Sequence, residues 1–353
     1  MVKVTVKDKY LNVRVGKPSV NADCFQFIAP GSEIEVDGKL YKGDAFLGID
    51  TWMKDGAGNY YWSGGVGLPA APVADGLLDY NVKSALTEEV RNTKGENVTV
   101  GVVDTGCFKH AAFSQINLTG KNFIDGNDDF RDRSSVSHGT FVSGIIGAGA
   151  CAGNKMTGVA PNVNLIVAKI AVDGEISNRQ AVLQGMQWLV DQQPDIINCS
   201  FDFSPLSDEE KFKELFFSDK GKRIIWVGAG QDDEGVFNNS LFFPGRSSNF
   251  IAVGSLRVAV LQQKDISQLN GKLKYLLLET DFQSTDRFGT YGSTPGSSFA
   301  TALVTGNLAL VVSHLKSSQA TVMPQDAINF LDGVLDQLNS PIQLGTPFII
   351  LKK

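Results

Sequence analysis

The chain has 353 residues, of which 42% are hydrophobic and 20% are charged, a composition typical of a soluble globular protein. One hydrophobic core rarely extends over so long a chain, so we expect two domains. The formal net charge of −6, without a basic cluster, argues against a nucleic-acid partner. We find no apolar run of the roughly 20 residues that a membrane span needs, and expect no membrane partner.

The first residues and the cysteines indicate the compartment. Residues 1–7 alternate apolar and polar side chains like a β-strand and contain no apolar signal-peptide core. We therefore expect a cytoplasmic protein; the alternative is a secreted protein from which an export segment or a prodomain has been removed. The four cysteines lie far apart without a C-x-x-C pair, which favours free thiols and argues against zinc.

Residues 1–66 are predicted to form a small all-β domain, because short alternating segments are separated by Gly, Pro, Asn and Asp turns. The sequence here resembles a bacterial src-homology-3-like barrel. The segments that carry this resemblance are residues 11–19, 30–36 and 60–66. The resemblance implies a peptide or regulatory ligand on the barrel.

Residues 67–79 are rich in Pro, Ala and Gly and are predicted to be a linker to a second domain, residues 80–353. In this second domain predicted strands alternate with predicted helices, of which one is expected to be capped by Ser177. The strands are residues 97–103, 164–170, 195–200, 223–229 and 249–255, and the helices are residues 138–149, 177–192 and 298–315. This alternation predicts an α/β fold with a parallel sheet covered by helices on both faces.

Asp104 follows the first of these strands and precedes Thr105-Gly106. Open α/β sheets place functional groups at this end of their strands, so Asp104 is a candidate catalytic residue. Asp-Thr-Gly also occurs in aspartic proteases, but they need two copies to share one proton and this chain has one. By itself the position leaves a structural role for Asp104 open.

An imidazole base would have to come from one of three histidines. His138 precedes Gly139-Thr140 and an apolar helix, which places it at a helix N-terminus facing the sheet edge. His110 lies in a loop and His314 in an apolar helix, and both are interpreted as solvent-facing or core residues.

Ser298 follows Gly296-Ser297 and begins a long apolar helix. The small residues permit a tight approach to the helix, with the hydroxyl exposed where backbone N–H groups can stabilise an oxyanion. The alternative is that Ser297 or Ser298 only caps the helix.

Together these segments resemble the motifs of the subtilisin-like serine proteases, the subtilases. The matching segments are residues 104–106, 138–144, 158–161, 197–200, 252–254 and 296–302. The order Asp, His, Ser also separates the chain from chymotrypsin-like enzymes and α/β-hydrolases. The resemblance covers about residues 80–335 and implies a subtilisin-like three-layer α/β fold, preceded by the all-β barrel.

By this resemblance Ser298 is the nucleophile, His138 the general base and then acid, and Asp104 the carboxylate that orients His138. The chain is accordingly interpreted as a serine endopeptidase that cleaves a protein or peptide substrate through an acyl-enzyme, in restricted processing or regulation. The alternative is a catalytically weak binding or scaffold protein on the same fold. A lipase or esterase is disfavoured by the order of the triad.

The predicted oxyanion hole departs from the family pattern. Gln231 stands where the family has an asparagine, so the same amide donor sits on one extra methylene. Because such a donor must lie about 2.7–3.1 Å from the oxyanion, we expect Gln231 to work if its loop retreats. A misplaced amide would give the catalytically weak alternative.

The predicted substrate-binding segment also departs from the pattern. The family's Ser-x-Gly-Gly is Ser200-Phe201-Asp202-Phe203 here, and the missing glycines predict a narrower cleft. Asp202 is expected to favour a basic residue near the cut. With Gly230, the first three of these residues are the candidate substrate-binding residues.

Calcium is the usual cofactor of the family, but we expect no required cofactor here. One family site uses an aspartate shortly after Asp-x-Gly, where this chain has Ala-Ala-Phe at 111–113. The alternative is calcium held by oxygen ligands of an acidic run, which a solvated loop explains more simply. The members of that run are Asp125, Asp128, Asp129 and Asp132.

Overall fold

The computed structural model divides the chain into two compact units, Met1–Gly76 and Leu77–Lys353. In their described residues the first unit contains strands and one short 3-10 turn, whereas the second alternates strands and helices. The described residues are 2–7, 10–37, 39, 41–46, 49–67, 78–81, 84, 86–150, 156–173, 176, 178–202, 209–232, 243–257, 273–279, 282–337 and 351–352.

The first unit is built from antiparallel strands. They are β1 (Val2–Val6), β2 (Leu11–Val15), β3 (Cys24–Ile28), β4 (Glu33–Val36), β5 (Tyr41–Phe46), β6 (Ile49–Lys54), β7 (Asn59–Trp62) and β8 (Val66–Gly67). Their orders are β4-β1-β8 in one sheet and β3-β2-β7-β6-β5 in the other. Both sheets contribute to one buried core, with Val4 and Val36 from the first and Val13 and Tyr61 from the second. The alternation along these segments is therefore that of strands with one buried face.

The second unit is built on a mostly parallel sheet. Its strands are β9 (Leu78–Asp79), β10 (Thr99–Asp104), β11 (Leu118–Asn122), β12 (Met156–Thr157), β13 (Asn164–Lys169), β14 (Ile196–Cys199), β15 (Ile225–Asp232), β16 (Phe250–Arg257), β17 (Tyr275–Glu279), β18 (Phe282–Thr285), β19 (Tyr291–Thr294) and β20 (Leu351–Lys352). The central sheet has the order β11-β13-β10-β14-β15-β16-β17-β20. Seven strands run parallel and β20 pairs antiparallel to β17, which confirms the predicted parallel sheet.

Helices cover both faces of this sheet. They are α1 (Glu88–Asn92), α2 (His138–Gly147), α3 (Arg179–Gln192), α4 (Glu209–Phe216), α5 (Ser297–Lys316) and α6 (Pro324–Gln337). Alternate residues of one strand enter different cores: Val102 packs in the core that contains α2 and α5, and Val103 in the core that contains α3 and α4. Because neighbouring side chains of a strand point to opposite faces, these helices lie on opposite sides of the sheet.

Three predicted boundaries change. Gly67 pairs with Thr5 in β8, and Leu78–Asp79 pairs with Met156–Thr157, so both ends of the predicted linker 67–79 lie in strands. Ser177 lies outside the described residues. Asn178 caps α3 instead, because its side-chain oxygen accepts a hydrogen bond from the Ala181 N–H at 3.1 Å.

In the sequence we found no apolar run long enough to span a membrane, and α5 is an exception to that statement. Residues Ser297–Lys316 are long and apolar enough to do so by length and composition. However, 89% of the most apolar window of this helix is buried inside the protein. Its hydropathy is therefore explained by its place in the core, where it packs against α2 and the central strands.

Candidate active site

An aspartate and a histidine meet at the carboxyl-terminal edge of the sheet. Asp104 is the last residue of β10, and His138 is the first residue of α2. His138 Nδ1 lies 2.8 Å from Asp104 Oδ1, with 2% of the aspartate side chain exposed against 21% of the histidine. The Thr105 N–H also donates to Asp104 Oδ1, at 2.7 Å. The buried carboxylate therefore orients the imidazole through Nδ1, which leaves Nε2 for proton transfer.

The surroundings of His138 favour its protonated form. Burial lowers the pKa of His138, but the charge and hydrogen bond of Asp104, with a further contribution from the charge of Asp132, raise it above its ordinary value. Asp104 Oδ2 has no hydrogen-bond partner among the described residues. The negative charge that the carboxylate presents to His138 is therefore not reduced by hydrogen bonds to this second oxygen. This imidazole is an effective proton acceptor whose charged form is stabilised.

Two motif glycines allow α2 to begin close to the end of β10. Gly106 has a φ of +107°, and a Cβ atom there would lie 2.4 Å from the Phe130 carbonyl oxygen. A Cβ atom on Gly139 would lie 2.1 Å from the Gly106 carbonyl oxygen and 3.0 Å from Asp104 Oδ1. A side chain at Gly139 would therefore push the helix that carries His138 away from Asp104, and one at Gly106 would displace the backbone of residues 130–132.

A second buried carboxylate, Asp132, holds the first turn of α2. Its Oδ1 accepts hydrogen bonds from Thr105 Oγ1 at 3.1 Å and from Ser134 N and Oγ at 2.9 and 2.7 Å. Its Oδ2 accepts from Thr140 N and Oγ1 at 3.0 and 2.8 Å. The Gly139 N–H donates to Thr105 Oγ1 at 2.9 Å. Asp132 thus accepts, directly or through the hydroxyls of Thr105 and Ser134, from the first three N–H groups of this helix.

Lys169 supports the same corner from the neighbouring strand. It pairs with Asp104 in the register of β10 and β13, and its Nζ donates to the carbonyl oxygens of Thr105 and Arg131 at 2.8 and 2.9 Å. Burial lowers the pKa of Lys169, and the charge of Asp132 acts in the opposite direction. The sequence-based interpretation missed Lys169; its only signal was a lysine at the end of an apolar strand, where a charge needs partners.

Ser298, in the first turn of α5, is held by two hydrogen bonds with Ser200, the residue that follows β14. Ser298 Oγ donates to the Ser200 carbonyl oxygen at 3.1 Å, and Ser200 Oγ donates to the Ser298 carbonyl oxygen at 2.7 Å. Asn198 Nδ2 donates to Ser200 Oγ at 2.9 Å, and Thr305 Oγ1 donates to Asn198 Oδ1 at 2.8 Å. The helix begins after Gly296 without a side-chain cap, so the Ser298 hydroxyl is not used for capping.

An aromatic contact brings the start of α5 to the start of α2. The Phe299 ring centroid lies 5.4 Å from that of His138 and 4.7 Å from that of Phe141. Phe299 directly follows Ser298, so the three predicted catalytic segments converge at one corner of the molecule.

The predicted oxyanion and substrate-binding residues lie at the ends of β14 and β15. Gln231 is half-buried in β15, where the pairing with β16 shifts register between Ala229 and Asp232. A Cβ atom on Gly230 would lie 2.5 Å from Leu273 Cδ2. Beyond β14, Ser200 is buried, Phe201 half-buried and Asp202 exposed, and Phe203 lies outside the described residues.

The other two histidines lie in different surroundings. His110 is buried, its Nδ1 accepts a hydrogen bond from the Ala112 N–H at 3.0 Å, and its ring centroid lies 4.9 Å from that of Tyr291. The His314 ring lies 5.5 Å from the Phe330 ring on α6. His110 is therefore a core residue, one of the two roles predicted for it.

Three aspartates of the acidic run make hydrogen bonds and ion pairs with other protein groups. Asp129 is bound through both oxygens by Arg131, and its Oδ2 also accepts from Arg133. Asp125 Oδ2 accepts from an asparagine amide, and both oxygens of Asp132 are used at α2. Within the described ranges no group of three or more His, Cys, Asp or Glu side chains could hold a metal ion.

Sequence comparison assigns most of the second unit to a known family. The model of the subtilase family matches residues 95–329, well over half of the chain. The chain is 31% identical over 237 residues to the major intracellular serine protease of Bacillus subtilis (strain 168), covering 65% of this chain and 72% of that protein. It is 29% identical over 229 residues to the intracellular serine protease of Paenibacillus polymyxa, covering 62% and 68%.

Solved structures show the likeness in fold. A cold adapted subtilisin-like serine proteinase superposes with a TM-score of 0.53 at 23% identity, covering 68% of this chain and 82% of that one. The prenylagaramide maturation protease PagA superposes with a TM-score of 0.55 at 21% identity, covering 73% and 90%.

Proposed function

Because this chain belongs to the subtilase family and is a subtilisin-like serine protease, we propose that Ser298 is its nucleophile, His138 its general base and Asp104 the residue that orients His138. The observation that carries these assignments is the 2.8 Å contact of His138 Nδ1 with buried Asp104, beside the segment that carries Ser298. The three side chains supply the attack, the proton transfer and the orientation that peptide-bond hydrolysis needs.

The first step requires Ser298 Oγ to turn from the Ser200 carbonyl oxygen towards His138 Nε2. His138 then takes the hydroxyl proton while Oγ attacks the substrate carbonyl carbon, and the imidazolium is stabilised by Asp104. His138 returns the proton to the leaving amine, which breaks the peptide bond and leaves an ester on Ser298. Water, activated by His138 in the same way, hydrolyses this ester and restores the hydroxyl.

We assign the stabilisation of the developing oxyanion to donors from two elements. Backbone N–H groups in the first turn of a helix point out of its N-terminus, so the start of α5 supplies donors, and the helix dipole adds positive potential there. Gln231 supplies a side-chain amide from β15. We assign Gln231 to the oxyanion hole, and Ser200, Phe201, Asp202 and Gly230 to the substrate-binding segments next to it.

The substrate is a protein or peptide, and we propose that cleavage is restricted to processing or regulation. Two relatives are named as intracellular proteases and one structural neighbour as a maturation protease, which supports this assignment and a cytoplasmic location. We assign the antiparallel unit Met1–Gly76 to a src-homology-3-like barrel with a peptide or regulatory ligand.

The second candidate function is a catalytically weak scaffold. Two departures from the family pattern favour it: Gln231 in place of an asparagine, and the absence of glycines after Ser200. A fluorophosphonate probe, which reacts with an activated serine, separates the two functions. We expect labelling of the folded wild type and its loss in Ser298→Ala, with Ser297→Ala as the neighbouring control. A folded wild type that stays unlabelled would support the scaffold.

A further inference from the structure

Strand β18 lies against the first turns of α2, the helix that begins at His138. Ser284 Oγ donates to the Phe141 carbonyl oxygen at 2.6 Å, and Thr285 Oγ1 donates to the Thr140 carbonyl oxygen at 3.0 Å. Both side chains are fully buried. Because buried hydrogen bonds are costly to break, a displacement of β18 would displace the first turns of α2 as well.

The same strand contacts the segment that carries Ser298. The Phe282 ring centroid lies 6.2 Å from that of Phe299, which itself lies 5.4 Å from the His138 ring. Its hairpin partner β19 ends at Thr294, shortly before the nucleophile. A displacement of β18 would therefore change the positions of both the proposed base, His138, and the proposed nucleophile, Ser298.

Tyr80 fixes the outer edge of β18. Its phenol oxygen accepts a hydrogen bond from the Gln283 N–H at 2.8 Å and donates to the Gln283 carbonyl oxygen at 3.0 Å. Tyr80 is itself held by its backbone N–H, which donates to the Thr157 carbonyl oxygen at 3.0 Å, and is buried. Burial raises the pKa of Tyr80, so the phenol stays neutral and can donate and accept at once.

We propose that Tyr80 is a positioning residue for proteolysis. Its two hydrogen bonds to the backbone of Gln283 fix the position of β18, and through β18 they fix the position of His138 relative to Ser298. This inference rests on the roles proposed for those two residues. Tyr80 lies outside the segment that the family model matches, and it is the fourth residue of the second unit, directly after strand β9. The geometry of the active site therefore depends on the point at which the chain enters the second unit.

Tyr80→Phe tests this role because it removes both hydrogen bonds and keeps the ring. We expect kcat to fall roughly tenfold with KM changed less than about twofold, since small misplacements of catalytic groups are costly even when they arise at a distance. The rate of fluorophosphonate labelling of Ser298 should fall in parallel, at a temperature where circular dichroism shows the variant to be folded. Tyr275→Phe is the matched control.

Tyr275 is also buried, and its hydroxyl donates to Asp332 Oδ1 on α6 at 3.0 Å rather than to a residue of β18. Its variant should lose thermal stability while kcat stays at the wild-type value. Equal kcat values in Tyr80→Phe and Tyr275→Phe would overturn the positioning role. If Tyr80→Phe does not fold, Ser284→Ala tests the opposite side of the same strand, and an unchanged kcat there overturns the role. An unlabelled wild type would instead count against the proposed function itself.

Discussion

Ser298 and Ser200 exchange two hydrogen bonds: each hydroxyl donates to the carbonyl oxygen of the other residue, at 3.1 Å from Ser298 and 2.7 Å from Ser200. The proposed nucleophile therefore rests on the backbone of the predicted substrate-binding segment. A substrate N–H that pairs with the Ser200 carbonyl oxygen would compete with the Ser298 hydroxyl and release it towards His138. Substrate binding and the freeing of the nucleophile are coupled by this arrangement.

Ser200→Ala should lower kcat about tenfold with little change in KM. The substitution removes the hydrogen bond to the Ser298 carbonyl oxygen and leaves the buried Asn198 amide without its acceptor. An unsatisfied buried donor of this kind lowers the free energy of unfolding by about 1–3 kcal/mol. Steady-state kinetics with a peptide substrate measures both constants. Ser313→Ala is the control, because Ser313 on α5 donates a similar hydrogen bond to the Glu96 carbonyl oxygen. Wild-type kcat in Ser200→Ala would show that the pair does not position the nucleophile.

Asp132→Asn should move the acid limb of the kcat/KM profile to lower pH. Proteolysis requires neutral His138, so kcat/KM rises with pH through the pKa of this residue. The charge of Asp132 helps to raise that pKa above its ordinary value, so its removal lowers the pKa. The variant should therefore keep a larger fraction of its maximal activity in mild acid than the wild type.

The control for this profile is Asp129→Asn. Asp129 lies in the same loop, but its oxygens are paired with Arg131 and Arg133, whereas the charges that raise the pKa of His138 are those of Asp104 and Asp132. Its variant should keep the wild-type acid limb. Identical acid limbs in all three enzymes would show that Asp132 holds the helix without tuning the base.

Gln231→Ala should lower kcat with little change in KM. Removal of one side-chain donor from the oxyanion hole of a serine protease costs about 100- to 1,000-fold in kcat. Gln231→Asn keeps an amide on a shorter side chain and should retain more activity than the alanine variant. Unchanged kcat in Gln231→Ala would remove this residue from the mechanism and leave the backbone donors of α5 as the oxyanion hole.

Residues in local sequence motifs could be predicted because short-range rules place them. Asp104 was predicted at a strand end and His138 at a helix start from apolar periodicity and adjoining glycines, and the structure has them there. Rules of this kind do not decide between neighbours of equal chemistry. Ser177 and Asn178 both suit an N-cap, and the extended backbone of Asn178 (φ −122°) is a property of the folded chain.

The support around the motifs could not be predicted because it depends on contacts between distant segments. Tyr80 and Gln283 are 203 residues apart, and Lys169 reaches Thr105 across 64 residues. In the sequence Asp132 is one of several aspartates in a polar loop. Only the fold distinguishes it, by burying it under the helix that begins at His138.

Gly144→Ala should destabilise the second unit and slow catalysis together. A Cβ atom at this position of α2 would lie 2.2 Å from Ser284 Oγ and 2.3 Å from Thr285 Oγ1, so β18 would have to move. We expect a loss of about 1–3 kcal/mol in the free energy of unfolding, as for other overpacked cores, with a fall in kcat because β18 contacts both α2 and the α5 start.

Gly333→Ala in α6 is the matched control, and it should raise the free energy of unfolding instead of lowering it. A Cβ atom there has no neighbour within 4 Å, so alanine should stabilise the helix by about 0.5–1 kcal/mol without a change in kcat. Urea unfolding and peptide hydrolysis measure the two quantities on the same samples. If Gly144→Ala lost stability but kept wild-type kcat, the contact between α2 and β18 would serve stability alone. The link from β18 to His138 would then have to run through Phe299.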